Sequence, residues 1–588
     1  MCGICGIAGE NWQKHQLMTM IEVQSHRGPD ACGHAIEHRH QVGLGHNRLS
    51  IIDLSEGGAQ PMSDHQGKLR IVYNGEIYNY LELKKELSNY PFRSQSDTEV
   101  ILAAYQRWGL DCVDHFIGMF AFAIWDDHQK RLFLARDRFG VKPLYMAHHH
   151  ENLYWSSEIK TLLAAGVPAA PNLTTWASYL RFGLYEHTEQ SFWEGIKSIP
   201  PGGAMTWENG REKYWRWYDL SKLSAESISS QSEEAVMDRY RELLENSVRF
   251  RFRSDVPVAI NLSGGLDSSI LLGMVDHIFG AESDIRVFTF ATGDPNYDET
   301  PWVRQMLQHT GHPHEICTLT PDEIPQLALD IQSHQDEPFG GFPTLAYSKI
   351  FKKARSMGIK VLLDGQGLDE QWAGYDYYGR LSKPLTKGVL GPVQGSADSP
   401  VRPDCLIPEF LDKAMVFEPP TVFQDPLLNA QYKDARFTKI PRALRFNDRI
   451  SMMYSTELRE PFLDHRLFEL AFMQPSDRKI RDGVHKWLLR EIGSKLLPRG
   501  VVEAPKRPVQ TPQREWLRGP LAGWVDNCLL TLDKEIGGDW LNMDQVRGHW
   551  NRYQQGESDN SFYIWQWINL ALWFKVLEQK PMAHQSHS

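Results

Sequence analysis

The chain has 588 residues, well beyond the roughly 250–300 at which single cores usually split, so we expect several domains. Hydrophobic residues make up 41% and charged residues 23% of the chain, which excludes a disordered protein. The 63 Lys and Arg against 74 Asp and Glu give a net charge of −11, and this balance argues against nucleic acid as a partner.

Seven cysteines are scattered along the chain, too few for a disulfide scaffold and typical of a reducing compartment. The first residues contain neither a basic nor an apolar signal region. The uncharged stretch 560–574 is shorter than the ~20 apolar residues that span a bilayer, so it predicts a buried helix. We therefore expect a cytoplasmic protein without a membrane partner.

The N-terminal half, residues 2–215, reads as a β-rich domain. Strands are predicted over 69–73, 119–125 and 131–135, separated by turn clusters. Ser96 and Glu99 have the spacing of a capping box, and apolar residues at helical spacing follow them.

The second half, residues 232–588, reads as a parallel α/β domain after a Ser- and Glu-rich linker between 217 and 232. A helix is predicted over 233–250, and strands over 256–262, 286–290 and 360–363 alternate with helical segments. This alternation predicts a doubly wound sheet. Residues 383–440 are rich in Pro and Gly, and we expect a poorly ordered insertion there. Helices are predicted to dominate from residue 441 onward.

Cys2 is the first candidate nucleophile. It follows Met1, and its small side chain is of the type that permits removal of Met1. The mature chain would then carry a thiol beside a free α-amine, which titrates near about pH 7.7–8.0 and can act as base for its own side chain. A redox pair with Cys5, or a cysteine without a role, are the alternatives.

Charged residues downstream suit an amino-acid substrate. Arg48 supplies a cation for a carboxylate, and Glu76 and Asp97 supply anions for an ammonium group. Asn74 and Gly75 can donate N–H groups to an oxyanion. Taken singly, each also fits a purely structural role: Arg48 a surface ion pair, Asn74-Gly75 a hairpin turn, and Asp97 part of a helix cap.

Five motifs together make the N-terminal half resemble the glutaminase domain of class II glutamine amidotransferases. They are Cys2-Gly3-Ile4, His26-Arg27-Gly28-Pro29-Asp30, Arg48-Leu49-Ser50-Ile51, Asn74-Gly75-Glu76-Ile77-Tyr78-Asn79 and Arg136-Asp137-Arg138-x-Gly140-x-Lys142-Pro143-Leu144-Tyr145. The resemblance implies an N-terminal-nucleophile (Ntn) αββα sandwich in which Cys2 attacks the glutamine amide. It also implies an oxyanion site at Asn74 and Gly75 and a glutamine pocket formed by Arg48, Leu49, Ser50, Ile51, Ile52, Asn74, Gly75, Glu76 and Asp97.

A Gly/Ser loop, Ser263-Gly264-Gly265-Leu266-Asp267-Ser268-Ser269, lies between a predicted strand and a helix. Glycines let the backbone approach a polyanion, the hydroxyls and the helix N-terminus donate to it, and Asp267 can hold a divalent cation. The Walker A pattern is absent, which argues against an ordinary γ-phosphoryl NTPase. The loop resembles the PP-loop of ATP pyrophosphatases.

A glutaminase followed by a PP-loop domain resembles the asparagine synthetase B family. The resemblance implies that ATP and Mg²⁺ activate a carboxylate as an acyl-adenylate, which ammonia from glutamine then converts to an amide. Lys486 matches the lysine that steadies pyrophosphate, Gln366 lies at the acyl-adenylate, and Asp267 and Asp369 match the metal ligands. The implied ATP-binding residues are Leu262, Ser263, Gly264, Gly265, Asp267, Ser268, Ser269, Thr292, Asp364 and Gly365.

The chain departs from the family at two strings. The family's S-G-E-G-x-D-E appears as 364–370 with Asp364 for Ser and Gln366 for Glu, and its E-A-R-V-P-F-L-D appears as 457–464 with Glu460 for Val. Gln366 cannot serve as a carboxylate base. Such departures resemble paralogues presumed to amidate other carboxylates, so aspartate and another small carboxylate, such as a uronic acid, are both open as substrate.

Two further classes compete with this interpretation. A sulfur-transferring PP-loop enzyme acting on RNA is disfavoured by the acidic charge, and a glutaminase or scaffold with an inactive synthetase half is disfavoured by the intact Asp267, Asp369 and Lys486. The resemblance also suggests a homodimer. Because one chain would carry ammonia between two sites, we expect an internal channel at the domain interface.

Overall fold

The computed structural model describes residues 2–37, 39, 41–224, 231–280, 283–294, 296–381, 399–506 and 511–579. Two six-stranded antiparallel sheets form the N-terminal half of these residues. The first sheet contains, in spatial order, Ile196–Ser198, Tyr145–His149, Asn152–Ser156, Gly3–Ala8, Val42–Arg48 and Ala31–Glu37. The second contains Arg211–Arg216, Gly203–Glu208, Arg131–Arg136, Gly118–Asp126, Leu69–Ile77 and Met62–Ser63.

The two sheets pack face to face because alternate residues of their strands are apolar. Ile4 and Leu44 of the first sheet meet Val72 and Leu134 of the second in one buried cluster. The outer faces are covered by helices, listed in chain order as Lys14–Val23, Tyr80–Glu86, Asp97–Trp108, Ile159–Ala164 and Leu173–Phe182. The predicted αββα sandwich is confirmed.

A five-stranded parallel sheet forms the centre of the second half. Its spatial order is His314–Cys317, Val287–Phe290, Val258–Asn261, Val361–Leu363 and Glu457–Arg459. Consecutive residues of one strand, such as Ala259 and Ile260, enter different apolar cores. Helices therefore cover both faces, and the predicted doubly wound sheet is confirmed.

Chain order reverses between the strands Val258–Asn261 and Val361–Leu363, which are neighbours in the sheet although about a hundred residues separate them. Open α/β sheets bind their ligands at the carboxyl ends of strands beside such a switch point. The Gly/Ser loop follows the first of these strands, and Asp364 follows the second. The sheet thus places both sequence motifs at one crevice.

Helices make up most of the remainder of the second half. They are Glu233–Arg251, Leu266–Phe279, Thr300–Thr310, Ile324–Gln335, Gly341–Ser356, Leu368–Gln371, Pro408–Leu411, Pro426–Lys433, Ile440–Met453, His465–Phe472, Ser476–Lys479, Trp487–Gly493, Arg499–Val502, Gln513–Arg518, Ala522–Ile536, Met543–Gln554 and Phe562–Gln579. A short ribbon pairs Ile480–Arg481 with Val484–His485. The predicted buried helix within 560–574 is confirmed, and within the described ranges no helix has the length and apolar character to cross a bilayer.

The prediction of a poorly ordered segment over 383–440 is wrong for residues 399–440. Asp425 caps the helix Pro426–Lys433 through the Leu427 N–H at 2.8 Å, and Pro426 occupies its first turn. Leu428 and Tyr432 of that helix then pack with buried apolar residues of the helix His465–Phe472. Residues 383–398 lie outside the described part of the chain.

The capping box predicted at Ser96 is half formed. The Ser96 hydroxyl accepts from the Thr98 N–H at 3.2 Å, as an N-cap does. The Glu99 carboxylate instead accepts from the backbone N–H groups of Arg93 and Ser94 at 2.8–3.0 Å. In a full capping box, Glu99 would accept from the Ser96 N–H. Here its carboxylate instead fixes the loop that precedes the helix.

Candidate active sites

Cys2 lies at the start of the strand Gly3–Ala8 and is 8% exposed. Its backbone nitrogen donates to Asn74 Oδ1 at 3.0 Å, and its carbonyl accepts from Arg27 Nε at 3.0 Å. The thiol lies 4.0 Å from the Leu49 carbonyl. Burial raises the pKa of the thiol, so a neighbouring base is needed to generate the thiolate.

Asn74 and Gly75 lie side by side in the strand Leu69–Ile77. The Asn74 side chain is fully buried, and its Nδ2 has no hydrogen-bond partner among the described residues. Gly75 has φ +155°, and a Cβ there would overlap the Met119 carbonyl oxygen. A free buried N–H donor beside Cys2 is the feature that an oxyanion site requires.

Arg48 ends the strand Val42–Arg48, and the following loop holds its guanidinium. Nη1 donates to the Ser55 carbonyl at 2.7 Å, and Nη2 donates to the Asp53 carbonyl. Its neighbours in sequence are also fixed, since the Ser50 N–H donates to Asp30 Oδ2 at 2.8 Å. Leu49 and Ile51 are buried, whereas Ile52 is partly exposed and packs against the core of the second half.

The predicted ammonium-binding acids have different surroundings. Asp97 Oδ2 accepts from the Tyr73 hydroxyl and the Ile77 N–H, both at 2.9 Å. Glu76 lies 3.3 Å from Arg459 Nη2 of the parallel sheet, while its Oε2 has no hydrogen-bond partner among the described residues. Burial raises the pKa of both carboxyls. A cationic ligand here would lower both pKa values.

The Gly/Ser loop has the form of a phosphate cradle. The helix Leu266–Phe279 begins after Gly265 without a side-chain cap. Gly264 has φ +89°, and a Cβ there would lie 2.9 Å from the Glu299 carbonyl oxygen. Ser268 Oγ accepts from the Ser263 N–H at 3.1 Å and donates to the Gly265 carbonyl at 3.2 Å. The uncapped helix end leaves its first N–H groups for an anion.

The other predicted nucleotide residues border the same crevice. Leu262 follows the strand Val258–Asn261 and donates its N–H to the Phe288 carbonyl at 2.8 Å. Ser269 is fully buried, and its Oγ has no hydrogen-bond partner among the described residues. Thr292 follows the strand Val287–Phe290, and its Oγ1 donates to the Asp294 carbonyl at 3.3 Å.

Asp267, Asp369 and Lys486 meet, as the sequence predicts for one site. Lys486 Nζ lies 2.5 Å from Asp267 Oδ1 and 2.5 Å from Asp369 Oδ1, and Lys506 Nζ lies 2.5 Å from Asp369 Oδ2. Burial opposes ionisation of Asp369, but the two ammonium groups outweigh it and hold its pKa well below the usual range. A Cβ at Gly374 would overlap Asp369 Oδ1 and Lys486 Cε.

The implied Mg²⁺ fits this donor set. Asp267 and Asp369 supply carboxylate oxygens from two facing elements, which is the ligand type that Mg²⁺ prefers. Lys486 and Lys506 balance these charges and carry the positive charge that a pyrophosphate group needs. The contact between Lys506 and Asp369 is a feature that the sequence patterns did not reveal.

Asp364, Gly365 and Gln366 follow the strand Val361–Leu363. Asp364 Oδ1 accepts from Asn261 Nδ2 at 3.1 Å, which ties it to the end of the neighbouring strand. A Cβ at Gly365 would lie 3.0 Å from the Ser268 nitrogen, so this loop approaches the phosphate cradle closely. Gln366 is partly exposed.

A buried ion network joins the two halves behind Cys2. Arg27, fully buried, donates to Glu158 Oε1 at 2.8 Å and to both carboxylate oxygens of Asp448 at 2.9 and 3.1 Å. Arg449 donates to the Ser157 carbonyl at 2.9 Å. The sequence identifies Arg27 as part of a motif, but no sequence pattern predicts Asp448 as its partner.

Comparisons with known proteins agree with this geometry. Residues 1–218 match the model of the glutamine amidotransferase domain, and residues 239–575 match that of asparagine synthase. Asparagine synthetase [glutamine-hydrolyzing] 3 of Bacillus subtilis is 30% identical over 93% of each chain. The protein named asparagine synthetase [glutamine-hydrolyzing] 1 of the same organism is 28% identical over 100% of this chain and 98% of its own. Amidase chry2 of Gibberella zeae is 29% identical over 92% of each.

The fold, the two sites and these matches define a glutamine-hydrolysing enzyme of the ligase type. The chain belongs to the asparagine synthase family, with an N-terminal glutamine amidotransferase domain.

Proposed function

We propose that the chain transfers the amide nitrogen of glutamine to a carboxylate that it activates with ATP, and that aspartate is the first substrate to test. The observation that supports this most directly is the pairing of Lys486 with both Asp267 and Asp369 at 2.5 Å, beside the phosphate cradle. We assign residues 2–215 to the glutaminase domain and 232–588 to the synthetase domain, in a cytoplasmic homodimer.

In the first half-reaction, the α-amine of a chain that begins at Cys2 accepts the thiol proton, and the sulfur attacks the glutamine amide carbon. Asn74 Nδ2 and the Gly75 N–H donate to the oxyanion. The α-ammonium group returns this proton to the amide nitrogen, the C–N bond breaks and ammonia leaves. Water then hydrolyses the thioester to release glutamate. Arg48 binds the substrate carboxylate, and Glu76 and Asp97 bind its ammonium group.

In the second half-reaction, a substrate carboxylate attacks the α-phosphorus of ATP and pyrophosphate leaves. The loop 263–269 binds the phosphates through its N–H and hydroxyl groups, and Lys486 steadies the departing pyrophosphate. Mg²⁺, which Asp267 and Asp369 would hold, offsets the charge of pyrophosphate when bound. Ammonia then attacks the acyl carbon and AMP leaves.

A carboxylate other than aspartate is the second candidate substrate. Asp364 and Glu460 place two acids at the synthetase strand ends, where the family string has Ser and Val, and Gln366 replaces a Glu. When ionised, these acids disfavour a doubly anionic substrate in their vicinity. One of the relatives described above is named an amidase.

The test measures pyrophosphate, glutamate and asparagine together, with glutamine, ATP, Mg²⁺ and aspartate. Formation of all three products is expected, and Cys2→Ala should form asparagine only when ammonia is supplied. If glutamate forms without pyrophosphate or asparagine, aspartate is wrong, and a panel of uronic and other small acids follows. If no acid in that panel releases pyrophosphate, the proposed synthetase activity is wrong.

A further inference from the structure

Formation of the amide needs a base that Gln366 cannot provide. As ammonia attacks the acyl carbon, its nitrogen must lose a proton, and a carboxamide does not accept one at neutral pH. Another acceptor has to take this proton, and the carboxylates at the strand ends are candidates for the role. Glu460 is a carboxyl group at these strand ends to which the proposed function assigns no chemical step.

The sheet brings Glu460 and Asp364 together. Leu363 and Arg459 pair in the parallel register of the last two strands, and the Asp364 N–H donates to the Arg459 carbonyl at 3.0 Å. Asp364 and Glu460 are the next residues of the two strands. They therefore leave neighbouring strands at the same edge of the sheet, where the adenylate loop lies.

Glu460 is 4% exposed, and its Oε2 has no hydrogen-bond partner among the described residues. Burial raises the pKa of Glu460 to about 8. Nearby Lys142 and Arg251 oppose this rise, and nearby Asp364 and Asp137 add to it. A carboxyl that titrates near neutral pH has the proton affinity that a general base requires.

Tyr347 lies within electrostatic reach of both acids. Burial raises the pKa of the Tyr347 hydroxyl well above its usual value, and the charges of Asp364 and Glu460 raise it further. Asp364 Oδ1 is occupied by the Asn261 amide. Glu460, with its unpartnered oxygen, is the freer of the two acids.

Glu460 also lies near the contact between the two halves. Arg459, the preceding residue, reaches Glu76 of the glutamine pocket at 3.3 Å. Lys142, whose charge acts on Glu460, belongs to the N-terminal half.

We propose that Glu460 is the catalytic base of amide formation, in place of the glutamate that Gln366 replaces. This inference rests on the proposed function. The nitrogen lone pair forms the C–N bond while Glu460 takes one proton from that nitrogen. Collapse of the tetrahedral centre breaks the bond between the acyl carbon and the phosphate oxygen, and AMP leaves with that electron pair. Glu460 then returns its proton to solvent.

The experiment separates adenylation from amide formation. Adenylation is read as exchange between pyrophosphate and ATP that depends on the carboxylate substrate. Amide transfer is read as hydroxamate formed with saturating hydroxylamine, which stays neutral from pH 7 to 9. The variants are Glu460→Gln, the double variant Gln366→Glu with Glu460→Gln, and a control, Glu337→Gln. Glu337 is likewise buried with a pKa raised by burial to about 7, but lies at the interface near Phe192.

Glu460→Gln is expected to keep the exchange within twofold and to lose about 10²–10⁴-fold in hydroxamate formation, the usual contribution of a general base. The unmodified enzyme should show a rate that rises through about pH 8, and this rise should be absent in Glu460→Gln. In the double variant, Gln366→Glu restores the family glutamate and should raise the rate of hydroxamate formation at least tenfold above that of Glu460→Gln alone. Glu337→Gln should leave both rates within threefold.

Two results would overturn the inference while the proposed function stands. One is a loss of less than threefold in the rate of hydroxamate formation by Glu460→Gln. The other is an equal loss in the rates of exchange and of hydroxamate formation, which would assign Glu460 to substrate binding or folding. Absence of carboxylate-dependent exchange in the unmodified enzyme would instead overturn the proposed function and, with it, this assignment.

Discussion

Replacing Asn74 with Asp tests the N-terminal site through one atom. The change keeps Oδ1, which accepts the Cys2 N–H at 3.0 Å, and exchanges the unpartnered Nδ2 for an oxygen. The proposed donor to the oxyanion becomes an acceptor. Because loss of one oxyanion donor costs about 2.7–4 kcal/mol, kcat for glutamine hydrolysis should fall about 10²–10³-fold.

The assay compares two nitrogen sources. Glutamate release from glutamine reports the N-terminal site, and amide formation with added ammonia reports the synthetase site. Asn74→Asp should lower the first by the stated factor, leave KM for glutamine within a few-fold, and preserve the second. A rate for glutamine within threefold of the unmodified enzyme would refute the assignment of Asn74 to the oxyanion site.

Asn152→Asp is the matched control. Asn152 is also fully buried, its Oδ1 accepts the Asn11 N–H at 3.2 Å, and its Nδ2 has no partner among the described residues. It lies at the opposite end of the strand Gly3–Ala8 from Cys2. Asn152→Asp should leave glutamine turnover unchanged, so an equal loss in both variants would indicate a general effect on folding.

Three further predictions concern the second half and the interface. Lys486→Met should abolish exchange between pyrophosphate and ATP. Gly374→Ala should do the same because its Cβ would overlap Asp369 and Lys486. Both variants should keep glutamine hydrolysis, and an exchange rate above a tenth of normal in either would contradict the proposed pyrophosphate site. Arg27→Met should lower the free energy of unfolding by about 3–5 kcal/mol because it leaves the buried Asp448 carboxylate without this partner. Burial opposes ionisation of Asp448, but the charge of Arg27 outweighs burial, so the pKa of Asp448 is lower in the folded than in the unfolded chain. The stability that this pair contributes is present above the unfolded pKa of about 3.9 and is lost as the pH falls through the folded pKa. The urea midpoint of Arg27→Met should therefore lie below normal at pH 7, by a margin that narrows only as the pH falls below about 3.9, and a margin independent of pH would count against the pairing.

Local sequence patterns located most elements because their causes are local. The helix predicted over 233–250 is observed at Glu233–Arg251, and the strand predicted over 69–73 extends to Ile77. Apolar spacing and capping residues act within a few turns of chain. The ordered residues 399–440 were missed because their apolar contacts, such as Leu428 with the helix His465–Phe472, come from distant sequence.

The two sites differ in how much of them a sequence reveals. Motifs predicted that Asp267, Asp369 and Lys486 belong together, and the structure places Lys486 Nζ 2.5 Å from a carboxylate oxygen of each aspartate. Lys506 belongs to none of the motifs, and Arg459 belongs to one that did not predict its contact with Glu76, since the partner of a charged side chain is set by the three-dimensional fold. The assignment of each residue to a chemical step stays a prediction.

Arg459 limits how separable the two halves are. Its guanidinium lies 3.3 Å from Glu76 and donates to Glu457 at 2.5 Å, and all three side chains are buried. An N-terminal fragment cut at the linker would expose Glu76 to water and lose the cation that faces it. The proposed glutamine pocket is thus completed by a strand that lies about 380 residues later in the chain, so grafting this N-terminal domain onto another synthetase would require transplanting that strand as well.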